Sequence, residues 1–345
     1  MSKEKSVNKG AKQLRDIPLS VLDLVPIVVG GTAADSFRNS LDLAQHVEKW
    51  GFHRYWLAEH HGMPGVASSA TSVVISYIAS GTSKIRVGSG GIMLPNHAPL
   101  VIAEQFGTLE SMYPGRIDLG LGRAPGTDPL TARALRRDFQ SSGDDFPELL
   151  AELRSYLNPS SSGSSSVRAI PGEGLNIPIW LLGSSGFSAR LAGELGLPFA
   201  FASHFSPDYT LPALEIYRSS FRPSEVLDEP YVMVGVNVVA ADTDEKAQWL
   251  ATSQELQFLN LLRNQPTPLN PPVENMDEIW NDYEKVAVKR QLRSMITGSP
   301  ETVKEKLQAF LDVTQADELI IHTQVFDHKA RLRSYEILAE IVMGK

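Results

Sequence analysis

The sequence has no cysteine, no long hydrophobic run and no excess of basic residues. Without cysteine it can form neither disulfide bonds nor thiolate metal sites, and this composition is typical of a cytoplasmic enzyme. No segment approaches the roughly 18 consecutive apolar residues that cross a membrane, so we expect no membrane partner. The net charge of −8 argues against nucleic acid as a partner, because surfaces that bind nucleic acid are basic.

A dinucleotide-binding fingerprint is also missing from the sequence. No GxGxxG motif follows a first strand, which disfavours an internal NADH-binding domain. What is present is the composition of a globular protein, with 345 residues, 42% of them hydrophobic and 21% charged. Residues 1–16 are polar and have no apolar segment of a signal peptide, so we predict a disordered lead-in there and a single domain over residues 17–345.

Short apolar or β-branched runs alternate with amphipathic segments along the chain. Such alternation predicts a parallel sheet with crossover helices. The predicted strands are 19–25, the run around Trp56, 85–91, 116–121, 178–182, 199–202, 232–239 and 318–322. Eight strands that are each followed by a helix predict a (β/α)8 TIM barrel, with insertions after strands 4 and 7. The first insertion contains NPSSSGSSS, and we interpret residues 158–174 as a flexible surface linker.

The stretch FHRYWLAEHHG, residues 52–62, combines a strand with three ionisable residues at its end. Tyr55, Trp56 and Leu57 are β-formers, and Glu59, His60 and His61 follow them. Because adjacent strand residues face opposite sides, Glu59 and His61 would share one side and His60 the other. At the C-terminal end of a barrel strand, a histidine can move a proton or donate to an oxyanion. A structural histidine pair or a metal site is the alternative.

Two later strand ends carry groups that suit a phosphate, and a third suits a planar ring. LLGSSGFS opens a predicted helix at Ser184, so its backbone N–H groups could bind an anion together with Arg123 after strand 4. Gly88, Gly90 and Gly91 would let a ring approach the backbone closely. The structural alternatives are a polar helix cap, a surface ion pair and a bulged strand.

These stretches resemble the bacterial luciferase family of flavin-dependent, luciferase-like monooxygenases, and in particular its single-subunit members. WLAEHHG resembles the segment with the family's catalytic histidine, and IRVGSGGIMLPNHAP resembles its third strand. SMYPGRIDLGLGRAPGTD and PIWLLGSSGFSARLAGELGLP resemble its fourth and fifth strands. The resemblance extends from the first strand to the last helix, and it covers nearly the whole chain.

The resemblance implies roles for individual residues. His60 would be the catalytic residue, and a cis peptide bond beneath the flavin ring would lie at Gly90 and Gly91 or one residue earlier. The flavin phosphate would be bound by a group of residues after strands 4 and 5, namely Arg123, Ser184, Gly186 and Phe187. A second phosphate ligand would be Arg133 or Arg136. No metal ion is implied, and residues 264–282 would correspond to a mobile lid over the flavin.

We therefore predict an FMN-dependent monooxygenase of the two-component type, which uses reduced flavin and O2 to oxidise a small organic substrate. The resemblance further implies a separate flavin reductase as partner and a homodimer. Two alternatives keep the barrel: an F420-dependent oxidoreductase and a non-catalytic flavin-binding protein. A zinc hydrolase built on His60, His61 and His97 is disfavoured, because neighbouring strand residues diverge and a metal needs converging ligands.

Overall fold

Eight parallel strands close into a barrel in the computed structural model, which describes residues 12–135, 145–158 and 167–344. The strands of the described chain are β1 Leu19–Asp23, β2 Arg54–Leu57, β3 Arg86–Met93, β4 Ile117–Gly122, β5 Ile179–Gly183, β6 Phe199–Phe201, β7 Val232–Ala240, β8 Ile296–Gly298 and β9 Glu318–His322. Strands β1 to β7 pair in sequence order, and β9 closes the ring between β7 and β1. The predicted (β/α)8 barrel is confirmed, and β9 is its eighth strand.

Strand β8 is an addition that the sequence patterns do not reveal. It is only three residues long, and it pairs in parallel with the last residues of β7. The long β7 can do this because its first half pairs with β9, through Met233 to Asn237, and its end extends beyond the barrel. The predicted insertion after strand 7 therefore has a strand of its own.

Helices cover the outside of the barrel. Those of the described chain are α1 Ala33–Trp50, α2 Thr71–Ser80, α3 Pro99–Met112, α4 Pro129–Ala134, α5 Phe146–Leu157, α6 Gly186–Glu194, α7 Thr210–Ser220, α8 Asp244–Leu262, α9 Asp282–Gln291, α10 Pro300–Thr314 and α11 His328–Met343. Local signals set several boundaries: Thr32 and Asp35 form a capping box at the start of α1, and Ser299 caps α10 with Pro300 in its first position. Within the described ranges, no helix is both long and apolar enough to cross a membrane.

The predicted disordered lead-in is shorter than residues 1–16. Residues 1–11 lie outside the described part, but Leu14 is buried at the start of the fold. Lys12 Nζ lies 2.6 Å from Asp317 Oδ1 and also donates to the carbonyl oxygens of Gln315 and Ala316. These contacts with the segment before β9 order residues 12–16, so the prediction is wrong for them.

The predicted linker at residues 158–174 is also only partly outside the described chain. Residues 159–166 are not described, whereas residues 167–174 are, and Gly172 among them packs against α3. Ala169 is fully buried, and a Cβ atom added at Gly107 would lie 2.2 Å from the Cα atom of Gly172. Two glycines thus allow the two backbones to touch, so this half is an ordered element and the linker prediction is wrong for it.

A charge network fills the N-terminal end of the barrel; we use this name for Arg54, Arg86, Asp118 and Glu318. Arg54 lies 2.7 Å from the Asp118 carboxylate and 3.1 Å from that of Glu318. Arg86 Nη2 lies 2.6 Å from the other Asp118 oxygen. Burial opposes the charge on Arg54, but the two carboxylates outweigh it and raise the pKa of its guanidinium.

An apolar layer lies above the charge network inside the barrel. Its buried members come from six strands and from the residue after β2: Leu22, Trp56, Ala58, Trp180, Ala200, Met233 and Ile320. Trp56 and Trp180 meet edge to face, with ring centroids 5.2 Å apart. The Trp56 indole N–H donates to Asp118 at 3.1 Å, so the layer is fixed to the charge network beneath it.

Candidate functional site

A cavity of about 580 Å³ opens above this apolar layer, at the C-terminal ends of the strands. Trp56, Leu22 and Ile320 line its base. The loops after β2, β4, β5 and β6 form its sides, and α8 contributes Gln254 and Phe258. In TIM barrels this end carries the active site, because loops from several strands meet there.

His60 lines the cavity from the loop after β2. The strand ends at Leu57, so His60 lies in the loop and not in the strand itself. Burial lowers the pKa of His60, the Glu59 carboxylate partly opposes this, and His61 adds to it. Its Nδ1 atom is buried without a hydrogen-bond partner among the described residues. A neutral imidazole with a nitrogen available to a ligand is suited to accept or deliver a proton near neutral pH.

Glu59 joins the loop after β2 to the loop after β3. Its carboxylate accepts from the Met93 backbone N–H at 2.9 Å and the Asn96 amide at 3.1 Å, and it lies 2.8 Å from His61 Nε2 and 2.9 Å from His97 Nε2. Burial would raise the pKa of Glu59, but these partners outweigh it and lower the pKa. Glu59 and His61 therefore share one side, as predicted, and they brace the loops of the cavity.

Gly90 and Gly91 lie at a break in the pairing of β3 with β4. The peptide bond between them is cis, at the position that the resemblance implied. Gly90 lines the cavity, where an added Cβ atom would lie 2.9 Å from Leu22 Cδ1. An added Cβ atom at Gly91 would lie 2.8 Å from the Gly120 carbonyl oxygen, on the side of β4. The strand is bulged here and also offers a bare backbone surface to the cavity.

Arg123 and Ser184 line the same wall of the cavity, at the ends of β4 and β5. The Arg123 guanidinium lies over the Phe187 ring, 4.3 Å from its centroid. Helix α6 begins at Gly186, and the side chain of the preceding Ser185 makes no capping bond within the described chain. The N–H groups of a first helical turn have no acceptor inside the helix, so this wall can bind an anion.

The two candidates for a second phosphate ligand are not part of this wall as described. Arg133 is exposed on α4 and is absent from the described lining of the cavity. Arg136 lies outside the described residues. The choice between them therefore stays a prediction.

The opposite side of the cavity, formed by β7, the end of β9 and the loop after β6, contains polar residues that no sequence motif indicated. The rings of His204 and His322 have centroids 5.8 Å apart. His322 Nδ1 lies 2.7 Å from Asn237 Oδ1, and the Asn237 amide donates to the His204 carbonyl oxygen at 2.9 Å. Burial lowers the pKa of His204 to about 4 and that of His322 to about 3, with smaller effects of neighbouring charges. Both imidazoles are therefore uncharged at neutral pH.

A signal for one of these residues was present in the sequence. His322 is the last residue of a predicted strand, the position at which barrel enzymes carry functional groups. His204 and the α8 glutamines have no such pattern, since they reach the cavity only through the tertiary fold. In the part of the chain that the structure describes, no group of three or more histidine, aspartate or glutamate side chains is arranged to hold a metal ion.

Comparison with known proteins identifies the family of this barrel. The family model described as luciferase-like monooxygenase matches residues 18–316. The chain belongs to the luciferase-like monooxygenase family. It is 67% identical over 329 residues to the uncharacterized protein YvbT of Bacillus subtilis, with 95% of this chain and 98% of YvbT covered. It is 51% identical over 327 residues to a luciferase-like monooxygenase of Escherichia coli, with 95% of this chain and 97% of that protein covered.

Solved structures share the fold of this family member. Apo-MsnO8 superposes with a TM-score of 0.85 and 35% identity, over 95% of this chain and 98% of the other. The oxygenating constituent of 3,6-diketocamphane monooxygenase from Pseudomonas putida, in complex with FMN, superposes with a TM-score of 0.72 and 18% identity, over 96% and 98% of the two chains. Members of the luciferase-like monooxygenase family are enzymes, and so is this chain.

Proposed function

We propose that this enzyme is an FMN-dependent monooxygenase of the two-component type, which oxidises a small organic substrate with reduced flavin and O2. The observation that carries the proposal is the convergence of three features on one cavity: the bare backbone at Gly90, the anion-binding wall at Arg123 and Ser184, and the imidazole of His60. The FMN complex of a structural neighbour supports the choice of cofactor.

The residues fit an FMN molecule at both of its ends. The phosphate requires a cation and backbone donors, which Arg123 and the first turn of α6 at Gly186 provide. The planar ring requires a surface without side chains, which β3 provides at Gly90. Phe187 would assist by holding the Arg123 guanidinium through a cation–π contact. Ser184 would donate its hydroxyl to the phosphate.

The protein contributes binding, exclusion of water and proton handling to this reaction. Bound flavin supplies the oxygen chemistry itself. The apolar layer around Trp56 keeps water away from the base of the cavity. His60 holds or moves a proton at its unpartnered Nδ1 atom. The Glu59 contacts fix the loop that carries His60 to the end of β3 and to the loop that follows β3.

Titration of the purified protein with FMN, reduced FMN and the deazaflavin F420 tests the proposal. We expect FMN to bind more tightly than riboflavin, and we expect oxygen consumption that depends on reduced FMN and an added flavin reductase. Preferential binding of F420 would instead indicate a hydride-transfer oxidoreductase. Flavin binding without oxygen consumption across a broad substrate panel would indicate a non-catalytic flavin-binding barrel. Either result contradicts the proposal.

We further propose that the enzyme is a homodimer and that it works in the cytoplasm together with the flavin reductase. Apolar side chains are exposed on two neighbouring helices, with Val73 and Tyr77 on α2 and Val101 and Met112 on α3. We expect these helices to meet their counterparts in a second copy, because exposed apolar patches mark interfaces. Light scattering of the wild type and of Val73→Lys tests this. A wild-type monomer would contradict it.

A further inference from the structure

The side of the cavity across the barrel from β3 and β4 is polar and contains none of the residues assigned to the flavin. Residues from β7, the end of β9, the loop after β6 and one helix make it, and we call them the amide–imidazole wall: His204, Asn237, Gln254, Gln257 and His322. His204 lies directly against β7, since a Cβ atom added at Gly235 would be 2.3 Å from its Nδ1 atom. Asn237 bonds to both histidine residues and fixes their arrangement.

Three polar atoms of this wall have no partner. Gln254 Oε1, Gln257 Oε1 and His204 Nδ1 are buried without a hydrogen bond to any described residue. Gln254 is 1% exposed and Gln257 8% exposed. Buried polar groups are nearly always hydrogen-bonded, because an unsatisfied one costs about 1–3 kcal/mol. The terminal torsion of glutamine is soft, so each amide oxygen can turn toward a bound molecule.

The amide–imidazole wall offers the amide oxygens of Gln254 and Gln257 as hydrogen-bond acceptors, but it has no charged side chain that could balance an ion. Among the described residues that line the cavity, the cation is Arg123 and the carboxylate is Glu59. Arg123 belongs to the opposite, phosphate-binding wall, and Glu59 is engaged by His61, His97 and the loop after β3. Burial keeps His204 and His322 uncharged. An ion at this wall would lose its hydration without gaining a counter-ion, which is unfavourable.

We propose that the amide–imidazole wall binds the polar end of the substrate, and that this end is an uncharged hydrogen-bond donor such as a primary amide or a hydroxyl, not a carboxylate. Gln254 and Gln257 accept from it, and the apolar remainder of the substrate lies on Trp56 and Ile320. This inference rests on the proposed function, in that Arg123 is taken up by the flavin phosphate.

Calorimetric titration with benzamide and benzoate, which differ in one group and share a ring, tests the inference on the FMN-loaded protein. We expect benzoate to bind at least about tenfold more weakly than benzamide, because the wall offers it no cation. Gln254→Leu and Gln257→Leu should each weaken benzamide binding by about tenfold without lowering the melting temperature, since leucine removes an unsatisfied buried oxygen. Gln248→Leu, an exposed position on α8, is the matched control.

Equal affinity for benzamide and benzoate would overturn the inference. Unchanged benzamide binding in both leucine variants would also overturn it. FMN affinity is measured on the same samples, so a failure of the proposed function is seen separately. If no flavin binds, the same titrations are made with Arg123→Ala, which removes the cation from the described cavity lining. Equal affinity of this variant for benzamide and benzoate would then overturn the inference.

Discussion

The two ends of the barrel interior satisfy their buried polar groups in different ways. At the N-terminal end, Arg54 bonds to Asp118 and to Glu318, whose carboxylate also accepts from Ser20 and Tyr231. Every charge of the network meets an opposite charge of the chain itself. At the C-terminal end, one side-chain nitrogen or oxygen atom in each of four lining residues lacks a hydrogen-bond partner in the described structure, namely in His60, His204, Gln254 and Gln257.

The difference separates stability from function within one fold. Both ends are built from the same eight strands, and both bury polar side chains. A polar group that finds its partner within the chain holds the fold together, whereas one that does not can be satisfied by water or by a bound molecule. Changes at the N-terminal end should therefore alter mainly folding, and changes at the C-terminal end should alter mainly binding and turnover.

The largest effect is expected for His60→Ala. Loss of a positioned acid or base should lower turnover by about 10²- to 10⁴-fold, while FMN affinity stays within a few-fold of the wild type. Steady-state product formation with reduced FMN, beside an FMN titration, measures both quantities. His61→Ala is the comparison and should be milder, because His61 bonds to Glu59 and is absent from the described cavity lining. A dead His61→Ala beside an active His60→Ala would reverse the two roles.

The next effect is on folding and concerns the other end of the barrel. Arg54→Met leaves the buried carboxylates of Asp118 and Glu318 without their shared cation, and should cost about 3–5 kcal/mol of unfolding free energy. Urea unfolding measures it, and FMN affinity of the folded protein should not change. Arg15→Met, at an exposed arginine, should stay within about 0.5 kcal/mol of the wild type. If Arg54→Met and Arg15→Met unfolded at similar urea concentrations, the charge network would not stabilise the fold, and the proposed contrast between the two ends of the barrel would be wrong.

A smaller effect is expected at the phosphate wall. Arg123→Ala and Ser184→Ala should each weaken FMN binding. The loss of binding free energy should be about 1.5–3 kcal/mol for Arg123, which makes a charge-assisted contact, and less for Ser184. The affinity for riboflavin, which has no phosphate, is the internal control and should be nearly unchanged. Fluorescence titration of the two flavins measures both. If both variants bind FMN as the wild type does, the phosphate assignment is wrong.

The smallest effect is a pH dependence of folding at the amide–imidazole wall. The pKa of His322 is about 3 in the fold, against about 6.5 in an unfolded chain. Between these values the unfolded state binds the additional proton, so the free energy of unfolding falls as the pH decreases below about 6.5. His322→Gln should flatten this decline by about 1 kcal/mol per pH unit between pH 6 and 5. His46→Gln on α1 is the control, and an equal decline in wild type and His322→Gln would contradict the prediction.

The sequence by itself determined the barrel and predicted one half of the candidate site. The alternation of short apolar runs with amphipathic segments predicted the eight barrel strands, because a strand or a helix is recognised from the pattern of its own residues. His60, Gly90, Arg123 and Ser184 could be selected for the same reason. Gly90 lies within β3 and the other three lie just beyond a strand end, each in a motif of its own. Their placement around one cavity then followed from the parallel order of the strands.

Only the tertiary structure decided the other half. Arg54 and Glu318 meet across 264 positions of sequence, and His322 and Asn237 across 85. Gln254 and Gln257 carry no signal of their own within the long helix α8, and only the fold places them at the cavity. Residues 167–174 resemble a linker until Gly172 meets Gly107. Contacts between distant residues leave no period or motif in the sequence, since their energy depends on which elements the closed barrel brings together.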